Sequence, residues 1–180
     1  MLPPGHIAGG YLVVYSLVKI FQPQFSPTEI NQLLWYGMFF AFVPDLDMFV
    51  SFFRQRSCII QKEHNHRKFY SHTPIVWLIV GCMVMIFAQS LFVVYIGLLI
   101  WLASWSHFVF DSLNYGIMWL FPFSRRLFSI RDAGVELEIK ERGFFSFWMA
   151  FMRNYATRFR LTFFSEIGVV CMALIVFLFL

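Results

Sequence analysis

LFVVYIGLLIWLASWSHFVFD, residues 91–111, decides the fold. From Leu91 to Trp105 it carries no charge, and then His107 and Asp111 stand four residues apart. An apolar run of this length reads as a helix that crosses a membrane. At a spacing of four, the imidazole and the carboxylate share one helix face. Ionisable side chains are costly in such a segment, so the pair needs a partner or a function. Further out, two other apolar runs are bordered in the same way. Asp45 and Asp47 close an earlier run as PDLD, residues 44–47. His64, His66 and His72 stand in HNHRKFYSHTP, residues 64–74, just ahead of another.

Composition supports the membrane reading. The chain is 59% hydrophobic with 25 Phe and 6 Trp, and its mean hydropathy is +0.68. Only 13% of its residues are charged, against about 25% in soluble domains. The net charge of +4 comes from basic residues that flank apolar runs, which is how membrane proteins carry them and argues against a nucleic-acid partner. The 3 cysteines form no CxxC and no disulfide framework. Pro3, Pro4, Gly9 and Gly10 interrupt the first apolar stretch, and no basic residue precedes it. That stretch therefore reads as part of the mature protein rather than as a signal peptide.

The expected fold is all-α: a polytopic membrane helix bundle of about five spans, drawn from the apolar runs at 7–21, 33–43, 74–88, 91–110 and 161–180. Residues 1–125 form the membrane domain, 126–160 a cytoplasmic or interfacial segment, and 161–180 a C-terminal transmembrane helix interrupted only by Glu166. In the middle segment Val135, Leu137 and Ile139 alternate with Glu136, Glu138 and Lys140, the period of a short strand pair. The aromatic stretch 144–152, followed by Arg153, Arg158 and Arg160, reads as a helix lying at the interface. Thr28 and Thr73 are expected to cap the helices that follow them.

Charge sets the expected topology. Residues 51–73 carry five basic side chains and one acidic, and 122–160 carry eight and four, whereas the turn at Gln89–Ser90 carries none. The positive-inside rule places both basic stretches, and with them the N-terminus, in the cytoplasm. All 5 histidines then fall at that same face, as do Asp45, Asp47 and Asp111.

Imidazole and carboxylate together are the ligands of Zn, Mn or Fe(II), and several carboxylates allow one ion or two. The expected metal ligands are His6, Asp45, His72, His107 and Asp111, with His66 next in order. Asp47 serves as a ligand, as a group orienting a histidine, or as a proton carrier, a task His66 can share. Arg67, beside Lys68, suits an anionic group such as phosphate. Each residue alone also has a plain structural reading: His107 as an interhelical donor, Asp111 as a helix-end carboxylate facing water, and PDLD as a solvated turn.

Taken in order, GHIAGG, PDLD, HRKFYSHTP and HFVFDSLNYG followed by WLFP resemble the LexA-regulated inner-membrane proteins described as metal-dependent hydrolases. The matching positions are His6 with Gly9 and Gly10, Asp45 with Asp47, His66 with Arg67, Ser71 with His72, and His107 with Asp111. The family's serine after the second histidine is Thr73 here, and its threonine near the last aspartate is missing. The motifs cover about residues 5–125. The resemblance implies a membrane-bound, metal-dependent hydrolase of the bacterial inner membrane. With the basic pair Arg67–Lys68 and the topology set by charge, the expected activity is hydrolysis of a phosphoester or phospholipid-like substrate at the cytoplasmic face of a multi-pass protein, with a divalent ion and membrane lipids as partners. The alternatives are a metal-dependent enzyme acting on another lipid bond, by amide hydrolysis or hydroxylation, and a non-enzymatic metal transporter or membrane scaffold.

Overall fold

The computed structural model describes residues 2–47, 50, 66–113, 116–131 and 144–179. Among these, six helices follow one another: α1 (Pro3–Phe21), α2 (Pro27–Phe42), α3 (Pro74–Ile86), α4 (Leu91–Asp111), α5 (Phe144–Arg158) and α6 (Arg160–Phe179). Short 3-10 turns occupy Val43–Leu46, His66–Lys68 and Tyr70–His72.

Local chemistry sets most of the helix ends. Ser26, rather than the expected Thr28, caps α2: its hydroxyl accepts from the Glu29 amide at 3.3 Å, and Glu29 Oε2 accepts from the Ser26 amide at 2.8 Å. Pro27 is the reason, because a proline fits the first helical position, where no amide donor is needed. At α3, Thr73 does occupy the cap position, but its hydroxyl donates backward to the Tyr70 carbonyl at 2.6 Å. Ser90 caps α4 through the Val93 amide at 3.3 Å.

Helix α4 lies at the centre, packed against α1, α2 and α3, and α6 packs on α1. Two close crossings rest on glycine. Where α1 meets α2, a Cβ on Gly10 would strike the Gly37 carbonyl. Where α3 meets α4, a Cβ on Gly81 would stand 2.6 Å from the Gly97 carbonyl. Small residues at such points let backbones approach where apolar burial gives helices little drive to associate. The core between α1, α2 and α4 is built from Val14, Leu17, Leu33, Tyr95 and Leu99.

The expectation of about five spans is corrected. Among the described residues, two helices are long and apolar enough to cross a membrane, α4 with 21 residues and α6 with 20, and the apolar α3 with 13 residues is at most a third. The physical reason is length and interruption. Helix α2 has 16 residues, begins with the polar PTEINQ and stops ahead of Pro44. At about 1.5 Å per residue it covers roughly 24 Å and α3 roughly 20 Å, less than a hydrocarbon core of about 30 Å. Helix α1 begins with PPGH and carries Gly9 and Gly10. An apolar run in the sequence is therefore not by itself a span. The described residues hold no strand pair, only an isolated bridge between Ile117 and Phe128. The alternating stretch 135–140 lies outside the described residues.

Candidate metal centre

Four pieces of chain meet at the last turn of α4. Helix α2 ends at Phe42, which frees its last carbonyls. The helical donor for the Phe40 carbonyl would be the amide of residue 44, and Pro44 has none, so Ser104 Oγ donates to it instead at 3.1 Å. The next carbonyl, Ala41, accepts from His107 Nδ1 at 2.9 Å. Past Pro44 the tight turn Val43–Leu46 brings Asp45 and Asp47 inward. The turn Tyr70–His72 is pinned to α3 by Trp77 Nε1, which donates to the Ser71 carbonyl at 2.7 Å. It presents His72, which is fully buried. The fourth piece is the first part of α1, with His6 between Gly5 and the Gly9–Gly10 pair. There a Cβ on Gly9 would stand 2.7 Å from the Phe110 ring.

These pieces bring five expected ligands together. One ligand atom from each of Asp45, His72, His107 and Asp111 lies within 4.8 Å of all the others. His72 Nε2 and His107 Nε2 each stand 3.6 Å from Asp45 Oδ1. His6 Nε2 stands 3.5 Å from Asp111 Oδ1 and 3.8 Å from Asp45 Oδ2. His107 Nε2 is 3.8 Å from Asp111 Oδ2, and the His6 and His107 rings stack with centroids 3.8 Å apart. Separations of 3.5–3.8 Å exceed good hydrogen bonds. They approach the spacing of neighbouring ligands on one ion, about 3.3 Å for tetrahedral bonds of roughly 2.0–2.1 Å.

The buried nitrogens test whether an ion fits. His107 Nδ1 can only donate to the Ala41 carbonyl, so in the neutral ring that a metal needs, Nε2 is the lone-pair nitrogen and faces the carboxylates. That Nε2 and both ring nitrogens of His6 are buried without a hydrogen-bond partner. Buried polar atoms are rarely left so, and a divalent ion between the imidazoles and carboxylates would satisfy His6 Nε2 and His107 Nε2 together. The donor set of nitrogen and carboxylate oxygen is one that Zn, Mn and Fe(II) accept.

Neighbouring groups hold the ligands in place. Asp47 Oδ2 lies 2.6 Å from His72 Nδ1 and accepts from Ser71 Oγ at 2.5 Å. A carboxylate behind a ligating histidine fixes its ring and directs Nε2 forward. Burial disfavours the charged form of His72, but Asp45 and Asp47 prevail and push its pKa up to about 9. An ion that takes Nε2 must displace that proton. Burial likewise works to raise the Asp45 carboxyl, and the imidazoles of His107, His72 and His6 more than offset it, holding it well below the usual carboxylate range. Arg67 Nε stands 3.3 Å from Asp111 Oδ2.

Of the residues read from the sequence, His6, Asp45, His72, His107 and Asp111 are gathered, Asp47 sits behind His72, and Arg67 lies against Asp111. His66 opens the turn His66–Lys68, but its side chain, like His64, lies outside what is described. Two residues escaped the sequence reading. Ser71 stands in the sequence reading only beside His72 in the family resemblance, without a role. Glu166 was taken for a blemish in the last apolar run, although a lone carboxylate in such a run is itself a signal. It is buried and accepts from Tyr155 Oη at 2.5 Å.

Comparison with known proteins agrees with the motif order. The family model of the YdjM inner membrane protein matches residues 1–180, so the likeness reaches past residue 125, where the short motifs stopped. No curated protein and no solved structure matches the chain. Matched over its whole length, with two helices able to cross a membrane, the chain belongs to the YdjM inner membrane protein family.

Proposed function

We propose that the chain is a membrane-embedded, metal-dependent hydrolase acting on a phosphoester or phospholipid-like substrate at the cytoplasmic face. The observation that carries this reading is the set of three buried imidazoles facing two carboxylates at 3.5–3.8 Å. His6, Asp45, His72, His107 and Asp111 would hold the ion. When bound, a divalent ion supplies Lewis acidity and makes water a nucleophile near neutral pH.

The chain's own residues do the rest. Asp47 receives donors from both His72 and Ser71, so we assign it to orienting His72 rather than to moving a proton. Proton transfer falls to His66. Arg67 lies at the edge of the group with 12% of its side chain exposed, and with Lys68 it holds the substrate anion. The position of the ligands supports an enzyme over a transporter. Transport sites lie near the bilayer midplane, whereas these residues sit at the last turn of α4, at the start of α1, and in two turns outside the helices. Arg67, from the basic stretch 51–73, lies against Asp111, and Arg131, from the basic stretch 122–160, donates its amide to the Leu113 carbonyl just past α4, which supports a cytoplasmic site.

The test is hydrolysis by detergent-purified protein supplied with Zn, Mn or Fe(II), using phosphoesters that include short-chain phospholipids. The expected result is turnover that requires the ion and is lost in Asp45→Asn. An ion-loaded, folded protein that cleaves no phosphoester would contradict the proposal.

A further inference from the structure

We infer that Glu166, far along the chain in α6, is a positioning residue for His6, and so ties the C-terminal helix to the metal centre. The inference rests on the metal-centre reading above. It starts from an asymmetry among the candidate ligands. His72 has Asp47 behind its Nδ1, His107 has the Ala41 carbonyl, and Asp111 has Arg67. His6, fully buried, has no hydrogen bond at either ring nitrogen among the described residues. Its ring stacks on that of His107 and its Nε2 faces Asp111 and Asp45 at 3.5 and 3.8 Å, and its place is otherwise set by the backbone of α1.

That backbone is weakly ended by its own sequence. The cap residue of α1 is Leu2, which offers no side-chain acceptor, and the first turn holds no acidic residue. Amides at a helix start need acceptors, and that end favours negative charge. Glu166 provides both from another helix. Its Oε1 accepts from the Gly5 amide at 3.2 Å, and its Oε2 accepts from the Leu2 amide at 3.2 Å. Tyr155 of α5, fully buried, donates to Oε2 at 2.5 Å and fixes the carboxylate from the far side. Gly5 makes the approach possible, since a Cβ there would stand 2.8 Å from Glu166 Cγ and 3.0 Å from Cδ. The residue so held, Gly5, is the immediate neighbour of His6. A shift of the first turn of α1 moves the His6 ring directly, with no hydrogen bond of its own to resist.

The test is Co²⁺ binding to the purified full-length protein, followed by the visible absorption of the ion. Glu166→Gln keeps one acceptor oxygen but removes the charge and brings donors to a place already facing three. It is expected to weaken Co²⁺ binding by about ten- to hundredfold, the usual cost of losing a group that orients a ligand. It should also change the absorption band in the manner of His6→Ala. The deciding comparison is the double variant: in a His6→Ala background, Glu166→Gln should cost nothing more, because the two act through one contact. Tyr155→Phe and Gly5→Ala disturb the same anchor from either side and should weaken binding in the same non-additive way, so the comparison stands even if Glu166→Gln does not fold. An unchanged affinity and band in the folded single variants, or a full additive loss in the His6→Ala background, would overturn the positioning role. If the wild type takes up no Co²⁺, the metal-centre reading falls and this inference falls with it.

Discussion

Among the described residues, α4 and α6 are the two helices long and apolar enough to cross a membrane, and each buries histidine or carboxylate groups near one end. In α4 these are His107 and Asp111, one turn apart at its C-terminal end; in α6 it is Glu166 in the second turn. The two sites do different work because their surroundings differ. His107 and Asp111 face other imidazoles and carboxylates at distances too long for hydrogen bonds. Glu166 faces three donors at hydrogen-bond distance. The first arrangement could hold a cation, whereas the second already has its donors. A polar residue in an apolar helix thus announces a partner, and only the partner's chemistry tells whether the residue is a ligand or an anchor.

The largest expected effect lies on the α4 side. Replacing both residues, His107→Ala with Asp111→Ala, should abolish metal uptake entirely, as read by metal content of the folded protein. On the α6 side, Glu166→Ala removes an acceptor from three donors, of which the Gly5 amide keeps its bond to the Leu2 carbonyl at 3.1 Å. Each buried group left unsatisfied costs about 1–3 kcal/mol, so thermal unfolding in detergent should show a loss of about 2–4 kcal/mol. Metal content at saturating ion should persist. If Glu166→Ala also emptied the site at saturation, the distinction between ligand and anchor would break.

Asp47→Asn sharpens the comparison from a third position, behind His72. It should weaken metal binding by about ten- to hundredfold while the fold survives, as measured by ion titration. Gly81→Ala, at the α3–α4 crossing, should destabilise by about 1–3 kcal/mol through overpacking and leave ion affinity unchanged. The smallest effect is expected for Ser26→Ala at the start of α2, a loss of about 1 kcal/mol with no change at the site.

The gathering of histidines and aspartates was the most legible part of the sequence, for a physical reason. Histidine and aspartate are expensive beside apolar runs, so HFVFD, PDLD and SHTP stand out, and the charge of the adjoining stretches places them at one end of the bundle. The spans were less legible. Hydropathy registers an apolar run but not its end, and the runs of α1 and α2 are shortened by PPGH, PTEINQ and Pro44. Those helices cross each other at Gly10 and Gly37 and share a small apolar core with α4. The cap of α2 was misplaced by two residues because Pro27 was not weighed as a first-turn residue. The job of Glu166 could not be read at all: its partners Leu2 and Gly5 are backbone amides more than 160 residues away, and a backbone amide has no signature in a sequence.

The most direct test of the central claim is the metal content of the detergent-purified wild type beside the His107→Ala, Asp111→Ala variant, by elemental analysis. The account predicts one or two Zn, Mn or Fe per chain in the wild type and none in the variant, with both proteins folded. A folded wild type that holds no metal, even after Zn, Mn or Fe(II) is added, would contradict it, and the cluster of imidazoles and carboxylates would then be packing at the end of a bundle.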